Sequence, residues 1–117
     1  MANYKKMNVA TAPRTELHDA LGLTGAEISV NVFPAGAGVP FVHSHKENEE
    51  IYFVADGRGK AVIDDDAIEL AKGDWIRVSP SAKRQFSATD DESVTLVCIQ
   101  VKENSLEHFT AEDAVVE

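Results

Sequence analysis

His43 and His45 stand one residue apart, and Glu49 and Glu50 follow within eight residues of His43, at the head of the apolar run Ile51-Tyr52-Phe53-Val54. In an extended segment, side chains at i and i+2 share one face. The two imidazoles then project in parallel, as two nitrogen ligands of one metal ion would. A carboxylate from Glu49 or Glu50 adds an oxygen donor. Two histidines and one carboxylate form the facial set of non-haem iron enzymes and of some catalytic zinc sites. Three protein ligands leave positions open for water and substrate. The other reading keeps the histidines as residues lining a cavity without metal.

The elements that must position these residues are strands. From Ala26 onward the pattern has period two, with Ile28, Val30 and Val32 alternating with Glu27, Ser29 and Asn31. That alternation predicts a half-buried strand. Pro34-Ala35-Gly36-Ala37-Gly38 reads as a turn, and Val39 to His45 as the next strand, carrying both histidines. Glu50 to Ala55 is a third, ended by Asp56-Gly57-Arg58-Gly59. Lys60 to Ile63 and Ala67 to Leu70 flank Asp64-Asp65-Asp66, a hairpin turn in which aspartate tolerates positive φ. Trp75 to Val78, Arg84 to Ala88 and Val94 to Val101 complete the set. This makes about eight short strands and predicts an all-β antiparallel sandwich or barrel.

The ends are less patterned. One edge strand is expected around Met7 to Ala10. A short N-terminal helix is expected over Glu16 to Leu21, with Thr15 as its N-cap and Gly22 as its stop. Thr110-Ala111-Glu112-Asp113 resembles a capping box and predicts one helical turn in the tail. His18 and His108 read as solvated.

The chain has 117 residues, which predicts one domain over 1–117, and 44% hydrophobic content supports a modest core. Its formal net charge is -9. Such a surface repels phosphate backbones and anionic lipid, so neither nucleic acid nor membrane is expected as a partner. The single cysteine, Cys98, excludes an intrachain disulfide. The N-terminus Met-Ala-Asn-Tyr-Lys-Lys carries no apolar signal segment, so a cytoplasmic location is expected.

The run His43-x-His45-x4-Glu50-x6-Gly57 resembles the first signature motif of the cupins. Gly73-Asp74-Trp75-Ile76-Arg77-Val78-Ser79-Pro80 is similar to the opening of the second. The resemblance covers about residues 26–101. It implies a double-stranded β-helix, or jelly-roll barrel, and a divalent metal (Fe, Mn, Ni or Zn) held by His43, His45, Glu50 and one more histidine. Glu50 matches the motif spacing and Glu49 does not. The departures are informative. No glycine stands five intervening residues before His43: Gly38 has four and Gly36 has six. Ser79 and Ser81 replace a proline and a glycine of the second motif. The fourth ligand position, eleven residues after Gly73, is Arg84, whose guanidinium has no lone pair to offer.

Arg84 beside an open metal position could hold an anionic substrate group bidentately, or could pair with Glu50 and oppose metal binding. Tyr52 and Val54 share parity with Glu50 and are expected to line the same cavity, as are Phe41 and Phe86. Tyr52 and Gln100 are further candidate contacts for a small-molecule ligand; Cys98 reads as a small core residue. Ile51, Phe53 and Val97 fall on the outer face, which predicts a homodimer packed through an outer sheet. Two functions follow. One is a metal-dependent enzyme on a small polar or anionic metabolite; by resemblance its chemistry is dioxygenation, isomerisation or decarboxylation. The other is a non-catalytic small-ligand binding or sensing module, with or without metal.

Overall fold

A computed structural model describes residues 2–117. Seven strands form among them: β1 (Arg14–Glu16), β2 (Glu27–Phe33), β3 (Asn48–Ile63), β4 (Asp66–Ala71), β5 (Trp75–Val78), β6 (Arg84–Ala88) and β7 (Val94–Lys102). All pairings are antiparallel. The strands run β1-β2-β7-β3-β4, with β5 on the first half of β3 and β6 on its second half. Strand β3 therefore belongs to two layers. Its first half lies between β7 and β5, its second half between β4 and β6. The sheet does not close on itself among the described residues, so the expected barrel is an open one.

The passage of β3 between layers corrects the expected turn at Asp56-Gly57-Arg58-Gly59. The chain does not reverse there. A β-bulge between Val54 and Asp56 shifts the register against β7, and the strand runs on for 16 residues in all. Bulges bend the strand that carries them and increase its twist. Gly57 makes the bend possible: its φ is 77°, and a Cβ there would sit 1.9 Å from the Ser93 carbonyl oxygen. The β3–β4 hairpin forms as expected on Asp64 and Asp65, both at positive φ (47° and 72°). Asp64 also accepts a hydrogen bond from the Lys83 amide at 2.9 Å.

Three other expectations need correction. Val39 to His45 is not a strand. It is a loop pinned to β6 by isolated bridges, Gly38 to Ser87 and His43 to Arg84. Gly38 allows the first, since a Cβ would lie 2.4 Å from the Ser87 Cβ. No strand forms over Met7 to Ala10. The N-terminal helix reduces to one turn, α1 (His18–Leu21), because Thr15 and Glu16 pair with β2 as part of β1. Its N-cap position is Leu17, without a side-chain cap, and Gly22 ends it. A 3-10 turn at Thr110–Glu112 lies in the tail.

Strand β2 has the expected period of two with the opposite facing. Ser29 and Asn31 are the buried residues, while Ile28, Val30 and Val32 lie half-buried on the other side. The apolar core is built instead by Val54 of β3, Leu70 of β4, Val78 of β5, Phe86 and Ala88 of β6, and Val94 and Leu96 of β7.

Candidate metal centre

The sheet register assembles the site. Gln100 of β7 pairs with Glu27 of β2 on one side and Glu50 of β3 on the other. One row along, Cys98 pairs with Ser29 and Tyr52. These side chains share the inner face and line a cavity of about 580 Å³. The His43–His45 loop crosses the cavity opposite them. It is held by a reciprocal pair of backbone hydrogen bonds between His43 and Arg84 (3.1 and 2.9 Å) and by donation from the His45 amide to the Pro80 carbonyl at 2.7 Å.

Glu50 is the centre of the arrangement. Its side chain is 4% exposed, and three donors fix it. Tyr52 Oη donates to Oε1 at 2.6 Å, Arg84 Nη1 donates to Oε1 at 3.0 Å, and Cys98 Sγ donates to Oε2 at 3.3 Å. An ionised carboxylate offers about four lone-pair sites, so one remains, on Oε2. His45 Nε2 lies 3.2 Å from Oε2, and His43 Nε2 lies 3.9 Å from Oε1. A donor atom from each of His43, His45 and Glu50 falls within 4.8 Å of the other two.

The donor set fits a divalent metal ion. His45 Nε2 and His43 Nδ1 are buried with no hydrogen-bond partner among the described residues. Buried polar atoms without a protein partner are rare, and the binding of an ion is one reason for them. Burial is the main cause that lowers the His43 pKa, helped by His45 and Arg84 and opposed by Glu50. A lowered pKa keeps the imidazole neutral, the form that ligates metal. Burial, with Glu50 nearby, pushes the Cys98 thiol up to about 12. It raises Tyr52 likewise, so Tyr52 stays a phenol and a donor.

Arg84 is wholly buried. It is absent from the cavity wall, and its two terminal nitrogens donate to Glu50 and to the carbonyls of Ser79 (2.5 Å) and Pro80 (3.4 Å), while Nε is buried without a partner among the described residues. Of its two expected roles, the ion pair with Glu50 is the one formed. Tyr52 and Gln100 do line the cavity. Tyr52 stacks on Phe86 with ring centroids 3.9 Å apart, and Gln100 Oε1 accepts from Asn48 Nδ2 at 2.8 Å. Phe41 lines the cavity and meets the His43 ring edge-on at 5.7 Å, but it is 58% exposed rather than part of a closed wall. Ser29, Asn31 and Arg14 also line it and were not among the expected contacts. Polar residues on the less hydrophobic parity of β2 are the signal that marks the first two.

The profile of the family described as the cupin domain matches residues 29–100. The chain belongs to the cupins. The crystal structure of a cupin protein from Bacteroides fragilis is 58% identical, with a TM-score of 0.97 over 100% of this chain and 99% of that one. A structure described as a sugar phosphate isomerase from a cupin superfamily, from Silicibacter pomeroyi, is 23% identical, with a TM-score of 0.64 over 77% of this chain and 60% of that one. At that identity the likeness is one of fold. An uncharacterised protein of Methanocaldococcus jannaschii is 28% identical over 67 residues, 57% of this chain and 53% of that protein. The match thus spans about half the length of that curated relative. Among the described residues, this cupin has no helix long and apolar enough to cross a membrane.

Proposed function

We propose that this cupin holds one divalent metal ion through His43, His45 and Glu50 and binds a small polar or anionic metabolite in the cavity beside it. The convergence of three donor residues within 4.8 Å, two of them with unpartnered buried nitrogens, carries this reading. Bound there, the metal would act as a Lewis acid or oxygen activator with open coordination positions. Arg84 stands where the cupin motif places a fourth ligand. Its charge neutralises Glu50 and fixes the carboxylate so that Oε2 faces His45 and Oε1 lies nearer His43. Tyr52 and Cys98 hold the same carboxylate from the cavity floor. Gln100, its carbonyl engaged by Asn48, keeps its amide N–H groups for the ligand. Isomerisation is among the chemistries the family implies, and the description of the S. pomeroyi structure is in line with it.

The Arg84–Glu50 pair supports a second reading, a ligand-binding module without metal, because a buried guanidinium already balances the carboxylate. Titration with Co²⁺ separates the two. The first reading expects visible d–d absorption that saturates near one equivalent per chain and is absent in His45→Ala. No spectral change at millimolar Co²⁺ would leave the metal-free module.

The outer face supports a homodimer. Val30, Val97, Phe53 and Trp75 are register neighbours across four strands, with Ile28, Ile99 and Ile51 in the next row. Trp75 stacks on Phe53 at 4.2 Å and is 62% exposed. A row of this kind facing water is the usual mark of an interaction surface.

A further inference from the structure

Two buried polar side chains have no part in holding Glu50. Ser29 and Asn31 lie on the inner face of β2, at 3% and 8% exposure. Asparagine is depleted in strands, and buried polar groups are kept where they are satisfied and specify an arrangement. Here they specify the position of a cation. Asn31 Nδ2 donates to Ser29 Oγ at 3.0 Å and to the Leu96 carbonyl at 3.4 Å, which leaves Oδ1 facing β1. Arg14 Nη1 donates to that oxygen at 2.7 Å, and the two residues are direct register partners.

Arg14 lines the cavity that holds the histidines and Glu50, and its side chain remains 55% exposed. Its other neighbour, Glu16, is 3.5 Å away and itself 62% exposed, a pairing worth little in water. Nη2 has no hydrogen-bond partner among the described residues. The two arginines are thus sorted: Arg84 is buried behind Glu50 and off the cavity wall, and Arg14 lines the cavity with its side chain half exposed. Phe33, Val39, Phe41, Phe86 and Leu96 line the same cavity and give it much apolar surface.

We infer that Arg14, aimed by Asn31 and Ser29, is the residue that receives a ligand's anionic group, and that the ligand carries this group on an apolar body. The inference rests on the cavity being the ligand site, as proposed above. Arg14 and Glu50 stand on the outer two of four adjacent strands, and the register sets Arg14 level with Val54 (Arg14–Asn31–Leu96–Val54), four residues along β3 from Glu50. An anion held wholly at the histidines therefore does not meet Arg14; a ligand charged at Arg14 lays its body on the apolar lining of the cavity.

Octanoate and its neutral counterpart octanamide test this by calorimetric titration of the purified protein, with metal content measured on the same samples. Octanoate is expected to bind about tenfold more tightly than octanamide, as a charge-assisted pair with a guanidinium gives. In Arg14→Gln the two should bind alike, Arg14→Lys should restore part of the preference, and metal content should not change. Equal binding by the wild type, an undiminished preference in Arg14→Gln, or no binding of either at millimolar concentration would overturn it. Absence of metal with the preference intact would defeat the metal reading alone. Arg14 is exposed, so folding of the variants is expected, and their melting curves check it.

Discussion

Glu50 is the hub of the buried polar network, because one carboxylate satisfies Arg84, Tyr52 and Cys98 at once. Glu50→Gln leaves a wholly buried guanidinium without its counter-charge, which costs about 3–5 kcal/mol. Urea unfolding should show a lower midpoint for this variant. Adding Arg84→Met should recover most of the loss, since a buried pair can be replaced by apolar groups at little cost. If the double variant is no more stable than the single one, the pair is not the reason Arg84 is tolerated. Cys98 supplies a second check at this scale. With its thiol pushed up to about 12, the native protein should not react with a disulfide reagent at pH 8, and should react once unfolded. Much at this scale was legible in the chain. The spacing of His43, His45 and Glu50 picks out three residues whose donor atoms the fold brings within 4.8 Å of one another, and the arginine after Gly73 stands out as the odd residue. The direction of its guanidinium was not legible, because that depends on Ser79 and Pro80 carbonyls brought close by the fold.

Strands bounded by strong turn signals were legible to the residue, as for Trp75–Val78 and Arg84–Ala88. Two features were hidden, for different reasons. In β2 the apolar parity faces outward because Ser29 and Asn31 turn polar groups into the cavity and the outer face is itself apolar, so hydrophobicity alone points the wrong way. In β3 a glycine that reads as a turn serves a bulge, and only the Val94 partner strand decides between them. Gly57→Ala tests that reading. The positive φ alone costs about 1–2 kcal/mol, and the close approach to Ser93 adds to it. The melting temperature should fall by roughly 5–10 °C or more; an unchanged value would mean that β3 does not need the bend. Asp65→Gly works in the opposite direction. It relieves a positive φ of 72° and leaves the Asp64 contact to Lys83 intact, so a small rise in melting temperature is expected.

At the scale of the molecule, the strands do two jobs with their two faces. The inner face of β2, β7 and β3 carries the cavity, and the outer face carries two apolar rows, one of which ends at Trp75. A homodimer should sediment at micromolar concentration, and Trp75→Glu should shift it to monomer with the cavity unaffected. A wild-type monomer would contradict the role given to that face. The central claim is that the cavity is a metal site completed by three protein ligands and not four. Elemental analysis of protein purified without chelator tests it most directly. The expected result is close to one Fe, Mn, Ni or Zn per chain, lost in His45→Ala while the variant stays folded. Wild-type protein that remains metal-free after supplementation with each of these ions would contradict it.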